Sequence, residues 1–175
     1  MQETKVKKEI EGIILTNFKS EWTKISETVA LPRLGFLGCK DEVYIKGITE
    51  DSVINEKIYS TFSIYNTDKK TIYNFTWEDV LVYNFKASSS SLLPVGPIKL
   101  IITYDGIYEN YTLNGIVFQN IIKYMPYNKI TSINGEEGEW FSVEYDSKIE
   151  KLSCSLSILN CLLKSINEIC KLIKK

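Results

Sequence analysis

The sequence predicts one α+β domain over residues 1–175: a curved antiparallel β-meander of about seven to nine strands, packed on or around a long C-terminal helix, with a short helical N-terminal segment. Three observations predict it. From Ser147 onward, apolar residues recur at alternating spacings of three and four. Across residues 42–145, β-branched and aromatic runs alternate with turn residues. Before residue 30, apolar positions follow the helical period.

The N-terminal segment spans 1–30. Val6, Ile10, Ile13 and Ile14 share one side, with Gly12 as a weak point, and a short strand followed by a helix is the competing reading. Trp22, Ile25 and Val29 continue the helical period after Ser20, and Pro32 ends it.

The sheet spans 42–145. Strands are expected at 42–48, 57–65 and 71–76, with the polar turn 66–70 closing a hairpin between the last two. Residues 79–86 are apolar on both faces, which predicts a central strand. Asp105-Gly106 and Asn114-Gly115 have the chemistry of two-residue turns, because both central positions of such turns take positive φ. They predict a three-strand meander over 98–123. A strand near 129–133, an acidic turn at 135–139 and a strand at 140–145 complete the sheet.

The C-terminal helix is expected over 147–174. Its seam is Ile149, Leu152, Leu156, Leu159, Leu163, Ile166, Cys170 and Ile173. Ser147 and Glu150 stand as a capping box, and Lys171, Lys174 and Lys175 suit the negative end of the helix dipole. Such a helix would run roughly 40 Å. Ile158, Leu162, Ile169 and Leu172 widen the apolar face to roughly 220–240° of the circumference. A flat sheet covers less, so the sheet grips the helix or a second partner covers the remainder. One reading is an intramolecular core helix. The other is a partner-binding seam made of Leu152, Leu156, Leu159, Leu163, Ile166 and Ile173, since the heptad is strict.

Composition narrows the chemistry. The chain has no His, which removes Ser-His-Asp triads, Cys-His pairs and His-ligated metals. Cys39, Cys154, Cys161 and Cys170 show no paired metal spacing, and the last three fall on the predicted helix. No P-loop, dinucleotide fingerprint or EF-hand loop occurs. No catalytic residue, metal or cofactor is therefore expected. A net charge of −1 without a basic stripe argues against nucleic acid. No run of apolar residues is long enough to span a membrane, and residues 1–15 do not read as a signal peptide. With the cysteines read as reduced, the expected location is cytoplasmic.

Two apolar loops stand out. Residues 31–38 carry the chain's one arginine, Arg33, beside Leu34, Phe36 and Leu37. Residues 92–97 set Leu92, Leu93 and Val95 among prolines. Apolar residues in loops dock on something, either the protein's own core or the rim of a partner or ligand site.

The layout of two helices, an antiparallel meander and a long last helix is similar in outline to helix-grip proteins, and more loosely to lipid-carrying folds that wrap a sheet around a helix. The first functional expectation is a non-enzymatic interaction protein, either an assembly subunit or an inhibitor- or immunity-type partner. It would self-associate or bind another protein through the C-terminal helix and the apolar loops. The alternative is a module for a small apolar ligand or lipid, held between sheet and helix.

Overall fold

The computed structural model describes residues 2–28, 41–49, 61–66, 71–86, 97–113 and 119–175. The fold is α+β. Helix α1 is Gln2–Lys19 and α2 is Trp22–Thr28. Ten strands follow among the described residues: β1 Glu42–Ile45, β2 Thr61–Asn66, β3 Thr71–Thr76, β4 Val80–Lys86 and β5 Ile98–Thr103, then β6 Gly106–Leu113, β7 Gln119–Pro126, β8 Ile130–Gly135, β9 Trp140–Tyr145 and β10 Lys148–Ser153. Helix α3, Leu156–Ile173, closes the chain.

The strands form three antiparallel sheets rather than one meander. Five strands run in the order β1-β4-β5-β6-β7, three in the order β10-β9-β8, and β2 pairs with β3. Register explains how the five-stranded sheet serves two layers. On its inner face Ile45, Val82, Ile102, Ile107 and Met125 stand in one cross-strand row, all fully buried. They join the main core with Ile10, Ile14 and Phe18 of α1 and Ile158, Leu162, Ile166 and Ile169 of α3. On the outer face the corresponding row is Tyr44, Tyr83, Ile101, Tyr108 and Tyr124. This row shares a second, aromatic core with Phe75 and Trp77. Trp77 stands edge-on to Tyr44 and Tyr83, with centroids 5.0 and 5.1 Å away, and Phe75 stands edge-on to Tyr108 at 4.8 Å. A register shift between Val80 and Val82 lets adjacent Leu81 and Val82 both enter the main core.

The predicted helix start is corrected. Residues 148–153 are a strand, and α3 begins at Leu156. Asp146 and Ser147 take φ of 51° and 62°, so they form the two-residue turn of the β9–β10 hairpin, with Tyr145 opposite Lys148. Ser147 and Glu150 are therefore not a capping box. Leu152 is a strand residue, fully buried opposite Phe141, and not part of a helix seam. Cys154 precedes the helix too. At 18 residues α3 is about 27 Å long, shorter than expected.

The first turn in the meander is also displaced. Ile102 pairs with Ile107, which moves the β5–β6 turn to Tyr104-Asp105. Thr103 closes it, its Oγ1 accepting from the Asp105 and Gly106 N–H groups at 3.2 Å each. Leu113 pairs with Gln119, and Asn114-Gly115 lies outside the described residues.

Gly106 is required for space rather than for φ. A Cβ there would fall on the Met125 carbonyl oxygen and lie 2.8 Å from Pro126 Cα. Gly106→Ala should therefore cost about 2–3 kcal/mol by forcing β6 and β7 apart. Gly12→Ala, in an exposed stretch of α1 with open space, should instead add up to about 1 kcal/mol. Urea midpoints moving in opposite directions check both.

Candidate functional site

Two regions bring polar chemistry together. The first is a groove of about 790 Å³ where α1 and α2 meet α3. Asn17, Ser20, Glu21 and Lys24 line one side, and Ser157, Asn160 and Lys164 the other. Ile25 and Cys161 add apolar lining. The walls are tied together beneath the groove. Asn17 is buried, and its amide donates to Ser165 Oγ at 3.0 Å and Glu168 Oε2 at 3.2 Å. Ser165 Oγ donates in turn to the Cys161 carbonyl at 2.7 Å. In the wall of this groove, Ser157 Oγ is buried and, among the described residues, has no hydrogen-bond partner. An unsatisfied buried hydroxyl costs about 1–3 kcal/mol.

The second region is a buried charged layer at one end of the five-stranded sheet. The inner row next to the apolar one reads Val43, Asn84, Leu100, Glu109, Lys123 across the five strands. Lys86 lies one step further along β4 and is almost wholly buried. The segment 153–155, joining β10 to α3, lies on this layer through polar bonds. Ser153 N–H donates to Glu109 Oε2 at 3.2 Å. Lys86 Nζ donates to Ser153 Oγ at 2.6 Å and pairs with Glu139 at 3.0 Å. Ser155 N–H donates to Asn84 Oδ1 at 2.9 Å, and its hydroxyl donates to Asp41 at 2.5 Å. Lys123 pairs with Glu109 at 3.6 Å and Glu150 at 3.3 Å.

Electrostatics follow from burial. Burial pushes the Glu109 carboxyl up to about 7, against the pull of Lys123 and the Ser153 N–H. Burial alone would lower the Lys123 ammonium, but Glu109, Tyr111 and Glu150 carry it above the usual lysine value. The Cys154 thiol is pushed far up by burial, and Cys161 and Cys170 are raised for the same reason. None of these three is activated as a thiolate.

The sequence-predicted seam does not form a free face. Leu159 and Ile166 are buried in the main core, and Leu163 and Ile173 pack against it. Leu156 alone of the six is well exposed, at 64 %. Arg33, Leu34, Phe36, Leu37, Leu92, Leu93 and Val95 lie outside the described residues. Among the described residues no group of His, Cys, Asp and Glu could hold a metal, and no helix is long and apolar enough to cross a membrane. Sequence reading missed Asn84, Lys86, Glu109 and Lys123. The signal was polar residues breaking the apolar alternation of predicted central strands.

Comparison with protein-family models, with curated proteins and with solved structures finds no match for this chain.

Proposed function

We propose that the chain is a non-enzymatic interaction protein, and that it receives an amphipathic segment of a partner protein in the groove between α1–α2 and α3. The observation that carries this reading is the groove itself, whose walls are fixed by the buried Asn17 bonds and lined by side chains of α1, α2 and α3. The groove carries polar side chains and both signs of charge over a surface that is mostly apolar, the mixture a protein–protein contact buries. The raised thiols and the lack of imidazole support a binding role rather than catalysis. The lipid alternative needs room between α3 and the sheet. Among the described residues that space holds Ile158, Leu162, Ile166 and Ile169, all fully buried.

Asn160→Arg tests the reading. Asn160 is exposed on α3, so the bulk enters the groove and not the core. The variant should keep its unfolding midpoint within about 0.5 kcal/mol of wild type. It should lose at least tenfold in affinity for a partner captured by the wild-type protein. Thr131→Arg, exposed on β8 outside the groove lining, should bind like wild type. A captured partner held equally by the wild-type protein and both variants would end this proposal.

A further inference from the structure

The lysines of this protein are not spread evenly. After the first turn of α3 its exposed positions are Asn160, Lys164, Asn167 and Lys171, and Lys174 follows the helix. Spacings of four, three, four and three put them on one side. The helix has one carboxylate, Glu168, and it accepts from the Asn17 amide at 3.2 Å. The exposed stripe itself carries only amides and ammonium groups.

The fold adds two more lysines at the C-terminal end of this stripe. Lys174 Nζ donates to the Ile130 carbonyl, which seats the end of α3 beside the start of β8. Lys129 directly precedes Ile130. Tyr145 pairs with both Ile130 and Lys148, so the β9–β10 turn lies at the same end. The Asp146 N–H donates to the Lys129 carbonyl at 3.3 Å and closes that contact. Lys129, Lys148, Lys171, Lys174 and Lys175 are all exposed, and among the described residues none of them is in an ion pair. Against them the β9–β10 hairpin sets Asp146 and Glu144, while its Glu150 is paired with Lys123. The chain as a whole carries a net charge of −1, so this positive end is a local separation of charge. The acidic turn at 136–139 lies beyond the other end of β8, where Gly135 meets Leu163.

We propose that this end is a docking surface for an anionic membrane leaflet, with the five lysines on lipid headgroups and Ile149 sunk between them. Ile149 follows Lys148 and is 68 % exposed. A phosphate backbone gives such a side chain nothing to bury against, whereas the boundary between headgroups and acyl chains does. Tyr145 packs against the main core and Tyr127 is buried, so neither ring stands free for a base to stack on. Each lysine held near an anionic leaflet strengthens binding by roughly fivefold, and several such factors multiply. This inference stands apart from the groove reading, because the groove is lined by the N-terminal half of α3.

Flotation of the full chain with vesicles reads this surface. The protein should bind vesicles of equimolar phosphatidylcholine and phosphatidylserine, and not vesicles of phosphatidylcholine alone. Salt at about 1 M, which cuts the screening length to ~3 Å, should release most of it. The double variant Lys129→Gln/Lys148→Gln should bind roughly 25-fold more weakly. Lys19→Gln, exposed at the C-terminal end of α1, should bind like wild type. Ile149→Ser should weaken vesicle binding several-fold. All four positions are exposed, so the variants should unfold at the wild-type urea midpoint. Equal binding to both vesicles, no binding to either, or a double variant or Ile149→Ser that binds like wild type would each overturn the proposal. So would duplex DNA held more tightly than the mixed vesicles.

Discussion

Ile166→Ala should lose about 3–4 kcal/mol of folding stability, seen as a lower urea midpoint by far-UV circular dichroism. Ile166 is fully buried in the main core, among side chains from α1, the five-stranded sheet and the β8–β10 sheet. Truncation removes three carbons and leaves a cavity that packed strands close only in part. Ile166→Lys should not yield a folded protein, because the core offers that ammonium no partner. Leu156→Lys, by contrast, changes a side chain that is 64 % exposed and should stay within about 0.5 kcal/mol. The two positions sit on one predicted seam. A subunit seam would make both substitutions weaken association in a folded protein, whereas a core position makes only one of them unfold it.

Glu139→Ala should cost about 2–4 kcal/mol, and Lys86→Met less than about 1 kcal/mol. The asymmetry comes from which partner water can reach. The Lys86 side chain is 4 % exposed and that of Glu139 is 31 % exposed, at a separation of 3.0 Å. Removing the carboxylate leaves a buried ammonium with the Ser153 hydroxyl and the face of Trp140, 6.0 Å away. Removing the ammonium leaves a carboxylate that rehydrates, and Met fills the stem's volume. Thermal denaturation of the two single variants and the double variant measures the coupling. Equal losses in both singles would mean that the site is wetter than its burial implies.

What the sequence made legible follows the physics of each element. α1 was readable because Ile10, Ile13 and Ile14 face a core while the lysines around them do not. β9 was readable because a β-rich run follows the acidic glycine turn. The start of α3 was not. Ile149 and Leu152 happen to extend the three-and-four spacing backward from Leu156, and six residues fit either period. What decides between them is the positive φ at Asp146 and Ser147, which neither residue announces as glycine would. The charged layer was hidden for a different reason. Its members meet only through register. A two-residue turn at Asn114-Gly115 would have set Glu109 opposite Asn120, whereas the observed pairing sets it opposite Lys123.

The bond between Asn17 and Ser165 joins residues 148 apart, and the α1–α3 packing it belongs to spans a similar separation. During synthesis at ~5–20 residues per second, α1 leaves the ribosome roughly 7–30 s before its partner helix exists. The β4–β7 and β8–β10 hairpins pair neighbours in sequence and can form within that interval. The Ile10, Ile14 and Phe18 face has no α3 to cover it until the end. Growth temperature and chaperone supply should therefore govern the soluble yield of this protein more than the strength of any single contact in its finished core.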